Sequence, residues 1–198
     1  MEFFGLELKV PGDVYLPRED SFLLAEVLED EIQAGERVLD LGTGSGLLSL
    51  VAARRAEKVV GVDINKGAVN AARENSTRNG FENTCFFKSD LFEEISGEFD
   101  LVVFNPPYLP AGEENKKELQ GSEQWLGGEE GTEVIKEFSK SVSDYLSKGG
   151  RILMAISSHT GLGETTEILN EEGLEVEVLK KRKISWETLY VIRSEPSG

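Results

Sequence analysis

The chain has 198 residues and a formal net charge of −16, from 37 acidic against 21 basic side chains. Its 39% of apolar residues can fill one core, which argues against disorder, and no apolar run reaches the ~18 residues of a membrane span. The acidic balance argues against a bare phosphate backbone as partner, because that is held mainly by Lys and Arg, and it favours a basic protein.

The opening MEFFGLELKVPGD does not read as a signal peptide. Residues 3–10 alternate weakly and predict a short strand, with Phe3, Phe4 and Leu6 either an exposed pairing edge or part of the core. Residues 14–20 (VYLPRED) are extended, as Pro17 demands of its predecessor. Leu24, Val27, Leu28 and Ile32 recur at helical spacing and predict a helix over 21–33. After Gly35 the chain alternates regularly: strand 37–41, helix 47–56, strand 59–62, helix 67–79, strand 84–87 and strand 100–104. A polar loop of about 20 residues follows, a length more often functional than idle. Helix 132–146 is stopped by Gly149 and Gly150, then come strand 151–156, helix 163–172 and two strands, 174–179 and 188–193, joined by KKRKISW.

Continuous apolar strands alternating with helices predict a parallel sheet covered on both faces. The fold class is α/β: a doubly wound, Rossmann-like, seven-stranded and mostly parallel sheet with the final strand pair as an antiparallel edge. Cys85 and His159 are the single cysteine and histidine, so neither a disulfide framework nor an intrinsic zinc site is expected, and no metal. Cys85 opens an apolar strand and is expected to be buried and inert. His159, in SSHTG, reads as a polar loop residue, and the basic run KKRK at 180–183 as a solvated connection. These features together predict a cytoplasmic protein.

The chemistry begins at residues 38–46, VLDLGTGSG, where glycines fall between the first strand of the alternating series and its helix. Glycine is needed where a turn is tight and a ligand must approach the backbone closely. The spacing of Gly42, Gly44 and Gly46 is G-x-G-x-G, not the dinucleotide G-x-G-x-x-G, and no Lys-Ser/Thr follows, so a phosphate-binding P-loop is excluded. Asp63 closes the next strand, where a carboxylate can accept both hydroxyl hydrogens of a ribose. Asp90 follows the strand after that, where a carboxylate can accept from an adenine amino group. Taken singly, Asp40, Asp63 and Asp90 are equally well helix or turn caps. At three successive strand ends beside a glycine loop, they favour a nucleoside site.

Asn105-Pro106-Pro107-Tyr108 ends the strand at 100–104. Two prolines fix the backbone and remove two donors, leaving carbonyls as acceptors. Asn105 adds a side-chain carbonyl and Tyr108 a flat face, a set suited to a planar group that carries NH2.

With these residues in place the chain resembles the class I S-adenosylmethionine-dependent methyltransferases, and among them the HemK-type glutamine methyltransferases acting on class 1 translation release factors. The resemblance rests on VYLPREDSFLL (14–24), LDLGTGSG (39–46), VDIN (62–65), SDLF (89–92), FNPPY (104–108) and WLGGEEG (125–131). It implies a single methyltransferase domain over 1–198, in which a strand and helix within 1–34 cover the cofactor site and 35–198 form the Rossmann-like core. It is closest to the short archaeal and eukaryotic type, lacking the extra N-terminal helical domain of bacterial members. It also implies a small zinc-binding activator subunit as partner.

By the same resemblance S-adenosylmethionine, leaving as S-adenosylhomocysteine, lies over the glycine loop. Ser21, Asp40, Gly42, Gly44 and Gly46 would meet it, with Asp63 on the ribose, Asp90 and the Leu91 backbone at the adenine, and Asn105 beside the reacting methyl. The substrate amide would donate to the Asn105 side chain and the Pro106 carbonyl, with Pro107 and Tyr108 lining the slot. Trp125 either lines the same cleft or anchors a lid. The residues alone leave other acceptors open. An adenine N6 amino group presents the same planar NH2, with the charge of −16 against it. A lysine fits the planar acceptors less well, and a non-catalytic cofactor-binding subunit would leave an intact NPPY unexplained, as would a dehydrogenase.

Overall fold

In the computed structural model of the chain, residues 1–107, 132–185 and 187–197 are described. In chain order they form β1 (Glu2–Phe3), β2 (Leu6–Glu7), α1 (Glu19–Glu31), β3 (Arg37–Leu41), α2 (Leu47–Ala53), β4 (Lys58–Asp63), α3 (Lys66–Arg78), β5 (Thr84–Lys88) and β6 (Phe99–Phe104). The second part holds α4 (Glu133–Val142), a 3-10 turn (Ser143–Tyr145), β7 (Leu146–Ser157), α5 (Leu162–Glu171), β8 (Leu174–Lys183) and β9 (Thr188–Pro196).

The main sheet has seven strands in the order β5-β4-β3-β6-β7-β9-β8. The first five run parallel, whereas β9 pairs antiparallel with β7, and β8 with β9. Strand order reverses between β3 and β6, so their carboxyl ends open a crevice where open α/β sheets bind ligands. Residues of period two serve the two faces. Val38, Leu101 and Val103 pack with α1, α2 and α3, while Leu39, Leu41, Val102 and Phe104 pack with α4 and α5. Phe138 of α4 is fully buried and its ring lies 4.9 Å from that of Phe104. Truncating a buried Phe of this kind costs about 3–5 kcal/mol. No helix among the described residues is long and apolar enough to cross a membrane.

Several local expectations are corrected. Residues 3–10 are not one strand but the hairpin β1–β2, with Phe3 opposite Leu6. Phe4 and Gly5 both take positive φ (54° and 68°), the turn whose twist suits a tight hairpin. Phe3, Phe4 and Leu6 belong to the core, the Phe3 ring sitting 5.0 Å from that of Phe22. Gly149 and Gly150 do not stop a helix. The α4 helix ends at Val142, and β7 already pairs at Leu146, opposite Phe99. The register then jumps, with Leu101 opposite Arg151, so the glycines form a bulge inside the strand.

The basic run at 180–183 likewise belongs to β8 rather than to a connection. Alternation turns Lys180 and Arg182 toward α1, where both pair with Glu26 at 2.8 and 2.7 Å. Cys85 is exposed, not buried. It lies on the outermost strand, where Phe86 takes the covered face and the preceding residue the open one.

Candidate functional site

A cleft of about 820 Å³ opens at the carboxyl ends of β3, β4 and β6. One wall is the glycine loop with Asp63, Ile64 and Asn65. The segment from Val10 to Ser21 forms a second, Asn105, Pro106 and Pro107 the floor, and His159, Ile184, Glu187 and Leu189 the far side.

The glycine loop is built by backbone geometry. Gly42, Gly44 and Gly46 have φ of 66°, 55° and 88°, a region that side chains rarely adopt. A Cβ on Gly42 or Gly44 would meet nothing closer than 3.9 Å, so these two are bare toward the cleft. Gly46 is different: its added Cβ would lie 3.1 Å from Ala72 of α3, so this glycine lets helix and turn close-pack.

Asp40 lies beneath the turn, 1% exposed. Its Oδ2 accepts from the Thr43 hydroxyl (2.7 Å), the Ser49 hydroxyl (2.6 Å) and the Ser49 N–H (3.0 Å). Its Oδ1 is buried without a hydrogen-bond partner among the described residues. Burial pushes this carboxyl up to about 6, against the hydrogen bonds from Ser49 and Thr43, and the charge of Asp63 adds to the rise.

Asp63, at the end of β4, ties the next strand to the loop. Its Oδ2 accepts the Gly44 N–H at 2.9 Å and its Oδ1 the Asn65 N–H at 2.8 Å. A carboxylate has about four lone-pair sites, so two backbone bonds leave room for two hydroxyls. Burial raises its carboxyl above the usual range, and the two N–H groups oppose that. Asp90 and Leu91 follow β5 as expected, but neither is among the residues lining the cleft, and Asp90 is exposed. Leu91 has φ of 40° and its carbonyl accepts the Ser89 hydroxyl at 3.0 Å, so the turn there is locally closed.

Asn105 leaves the sheet at the end of β6 and meets the start of α1. Its Nδ2 donates to Asp20 Oδ2 at 3.0 Å and to the Ser21 hydroxyl at 3.2 Å, while its Oδ1 is buried and has no hydrogen-bond partner among the described residues. Pro106 is buried and Pro107 half-buried at the same floor. Tyr108 and Trp125 lie outside the described residues. The arrangement therefore brings Ser21, Gly42, Gly44, Asp63, Asn105, Pro106 and Pro107 to one cleft, with Asp40 and Gly46 supporting it from behind.

The residues present fit a nucleoside-bearing sulfonium such as S-adenosylmethionine. Two carboxamide or carboxylate oxygens, Asn105 Oδ1 and Asp40 Oδ1, are buried and unpartnered among the described residues, and the bare glycine turn leaves room beside Asp63. Sequence reasoning missed Thr43 and Ser49, whose hydroxyls fix Asp40, and Tyr15 and Asp20, which sit behind Asn105. The signal was present for Asp20 alone, as the acid of PRED next to Ser21. His159, read as an ordinary loop residue, lines the far side of the cleft.

Comparison with known proteins agrees with this geometry. Residues 19–121 match the family described as the methyltransferase small domain. A candidate protein N5-glutamine methyltransferase of Methanocaldococcus jannaschii is 42% identical over 195 residues, 98% of either chain. The release factor glutamine methyltransferase of Streptococcus pneumoniae is 33% identical, covering 81% of this chain and 60% of that protein. Among solved structures, the E. cuniculi Mtq2–Trm112 complex, which methylates the eRF1 termination factor, matches with a TM-score of 0.74 and 31% identity, over 93% of this chain and 99% of the other. A Thermus thermophilus 16S rRNA guanine methyltransferase seen with AdoMet and guanosine shares the fold, with a TM-score of 0.73 and 23% identity, over 99% of this chain and 49% of the other.

Proposed function

This chain belongs to the methyltransferase small-domain family and, within it, to the protein-glutamine methyltransferases; we propose that it methylates N5 of the glutamine in the GGQ motif of a class 1 translation release factor. The observation that carries this reading is the Asn105 carboxamide, whose NH2 is occupied and whose buried oxygen is left to accept from a substrate. A primary amide, as in glutamine, offers two N–H donors in one plane. Asn105 Oδ1 would take one and the Pro106 carbonyl the other.

S-Adenosylmethionine is the cofactor in this reading, and when bound it supplies an electrophilic methyl group on a positively charged sulfur. Asp63 would hold its ribose hydroxyls, Ser21 and the bare backbone of Gly42 and Gly44 its methionine end with Asp40 beneath the turn, and Asp90 and the Leu91 backbone, outside the cleft lining after β5, its adenine. The residues around the substrate do the rest. An amide nitrogen is a poor nucleophile because its lone pair is delocalised into the carbonyl. Fixing both hydrogens on acceptors aims the nitrogen and favours its pyramidal form, so positioning supplies much of the rate. No general base is required, because the nitrogen becomes acidic once it has gained a fourth substituent and then releases its proton to water.

The net charge of −16 favours a basic protein over nucleic acid as substrate. A small activator subunit, of the kind seen with Mtq2, is the partner this reading implies. Incubation with labelled S-adenosylmethionine and a GGQ-containing release factor, with and without such a subunit, should place one methyl on that glutamine by mass spectrometry. Label found only on adenine of added DNA or RNA would overturn the assignment.

A further inference from the structure

We propose that Asp20 is a positioning residue that fixes which end of the Asn105 carboxamide faces the cleft, an inference that rests on the amide-transfer reading above. A carboxamide is nearly symmetric in shape, and a half-turn about its last bond exchanges an acceptor for a donor. Only one orientation serves a substrate that itself donates two N–H groups. Nothing in the Asn105 side chain alone selects it.

The selection comes from Asp20, at the first turn of α1 and 3% exposed. Four described groups donate to its carboxylate. Tyr15 Oη lies 3.0 Å from both oxygens, the Ser21 N–H gives a 2.7 Å bond to Oδ1, the Ser21 hydroxyl stands 3.3 Å from Oδ1, and Asn105 Nδ2 is 3.0 Å from Oδ2. An ionised carboxylate only accepts, so it can hold the NH2 of Asn105 and repels its oxygen. Turning the amide round would bring two oxygens to about 3 Å with no proton between them, in a buried place where such a contact is costly. The Ser21 hydroxyl reinforces the choice: it gives its hydrogen toward Asp20 and has a lone pair left for Asn105 Nδ2 at 3.2 Å. Tyr15 anchors the carboxylate from the other side and keeps its oxygens in place. The amide just past β6 is thus oriented by a residue 85 positions earlier in the chain.

Asp20→Asn tests this, because it keeps the shape of the hub and lets it offer either a donor or an acceptor. The full chain is assayed with its release factor for kcat and KM, by calorimetry for cofactor affinity, and by NMR on the 15N-labelled Asn105 side chain. The expected result is a fall in kcat of about 100-fold, with KM and cofactor affinity changed by no more than about 3-fold. One Asn105 amide proton should lose a downfield shift that the wild type shows. Tyr15→Phe, a milder change, should lower kcat by about 3–10-fold with the same NMR signature reduced. An unchanged kcat in Asp20→Asn, or an Asn105 signal insensitive to both substitutions, overturns the proposal. If the wild type modifies no release factor, the functional reading fails while the NMR signature still decides the orientation. If Asp20→Asn does not fold, Tyr15→Phe carries both readouts.

Discussion

Ser49 donates to Asp40 twice, from its hydroxyl at 2.6 Å and from its backbone N–H at 3.0 Å, while the same hydroxyl lies 2.9 Å from that of Thr43. A helix residue thereby holds a strand residue under the glycine turn. Ser49→Ala removes the shorter bond and leaves a fully buried carboxylate less satisfied. Stability should fall by about 1–3 kcal/mol, measured by urea unfolding at neutral pH. A loss within experimental scatter would mean that Thr43 and the backbone suffice.

Asp40 should also leave a mark on the pH dependence of stability. Its carboxyl ionises at 3.8 in an unperturbed chain and near 6 in the fold, with burial as the main cause. Between those values the folded state binds more protons than the unfolded one. The contribution of Asp40 is therefore fully present below pH 3.8 and is lost as pH rises to about 6. Asn cannot ionise, so the stability of Asp40→Asn relative to wild type should rise by about 2 kcal/mol between pH 4 and pH 7. Denaturant melts at the two values measure it, and a flat difference would contradict the shifted ionisation.

Gly46 faces Ala72 where an added Cβ would be tightly crowded. Gly46→Ala combines a left-handed backbone with a 3.1 Å contact to Ala72 Cα and Cβ. The two costs together come to about 2–4 kcal/mol. The thermal midpoint should drop by several degrees, and cofactor affinity should weaken as the turn shifts. Gly80, also at positive φ but with nothing near its Cβ, serves as a control that should pay only for the backbone.

Asn105→Ala removes the acceptor on which the proposed chemistry depends. Methyl transfer should fall by at least about 100-fold. Cofactor affinity by calorimetry should remain within about threefold, because Asp63 and the glycine turn are untouched. A variant that loses cofactor binding to the same extent as transfer would assign Asn105 to the cofactor rather than to the substrate amide.

The sheet was readable because each strand is short, apolar and bounded by glycine or a polar turn. The strand at Arg37–Leu41 has the bounds its pattern predicts. The misreadings come from residues whose local preference serves two structures. Gly149 and Gly150 are as good in a bulge as at a helix end, and which one applies depends on Phe99 across the sheet. Lys180 and Arg182 look solvated until Glu26 of α1 is placed beside them. Cys85 looks buried until β5 proves to be an edge. At the site, the glycines, Asp63 and Asn105 announce themselves because their chemistry is tied to fixed spacing from a strand end. Thr43, Ser49, Tyr15 and Asp20 act through neighbours, and no pattern along the chain says which carboxylate a hydroxyl will reach.

The two ion pairs between Glu26 and the far end of β8 join residues 154 and 156 positions apart. They set an order of events during synthesis. A nascent chain has its glycine loop and Asn105 well before it has Lys180 and Arg182, so α1, with Asp20 and Ser21 at its tip, lacks this clamp until β8 has left the ribosome. An enzyme proposed to serve translation termination would then acquire its fully fastened site only once its own β8 has been made.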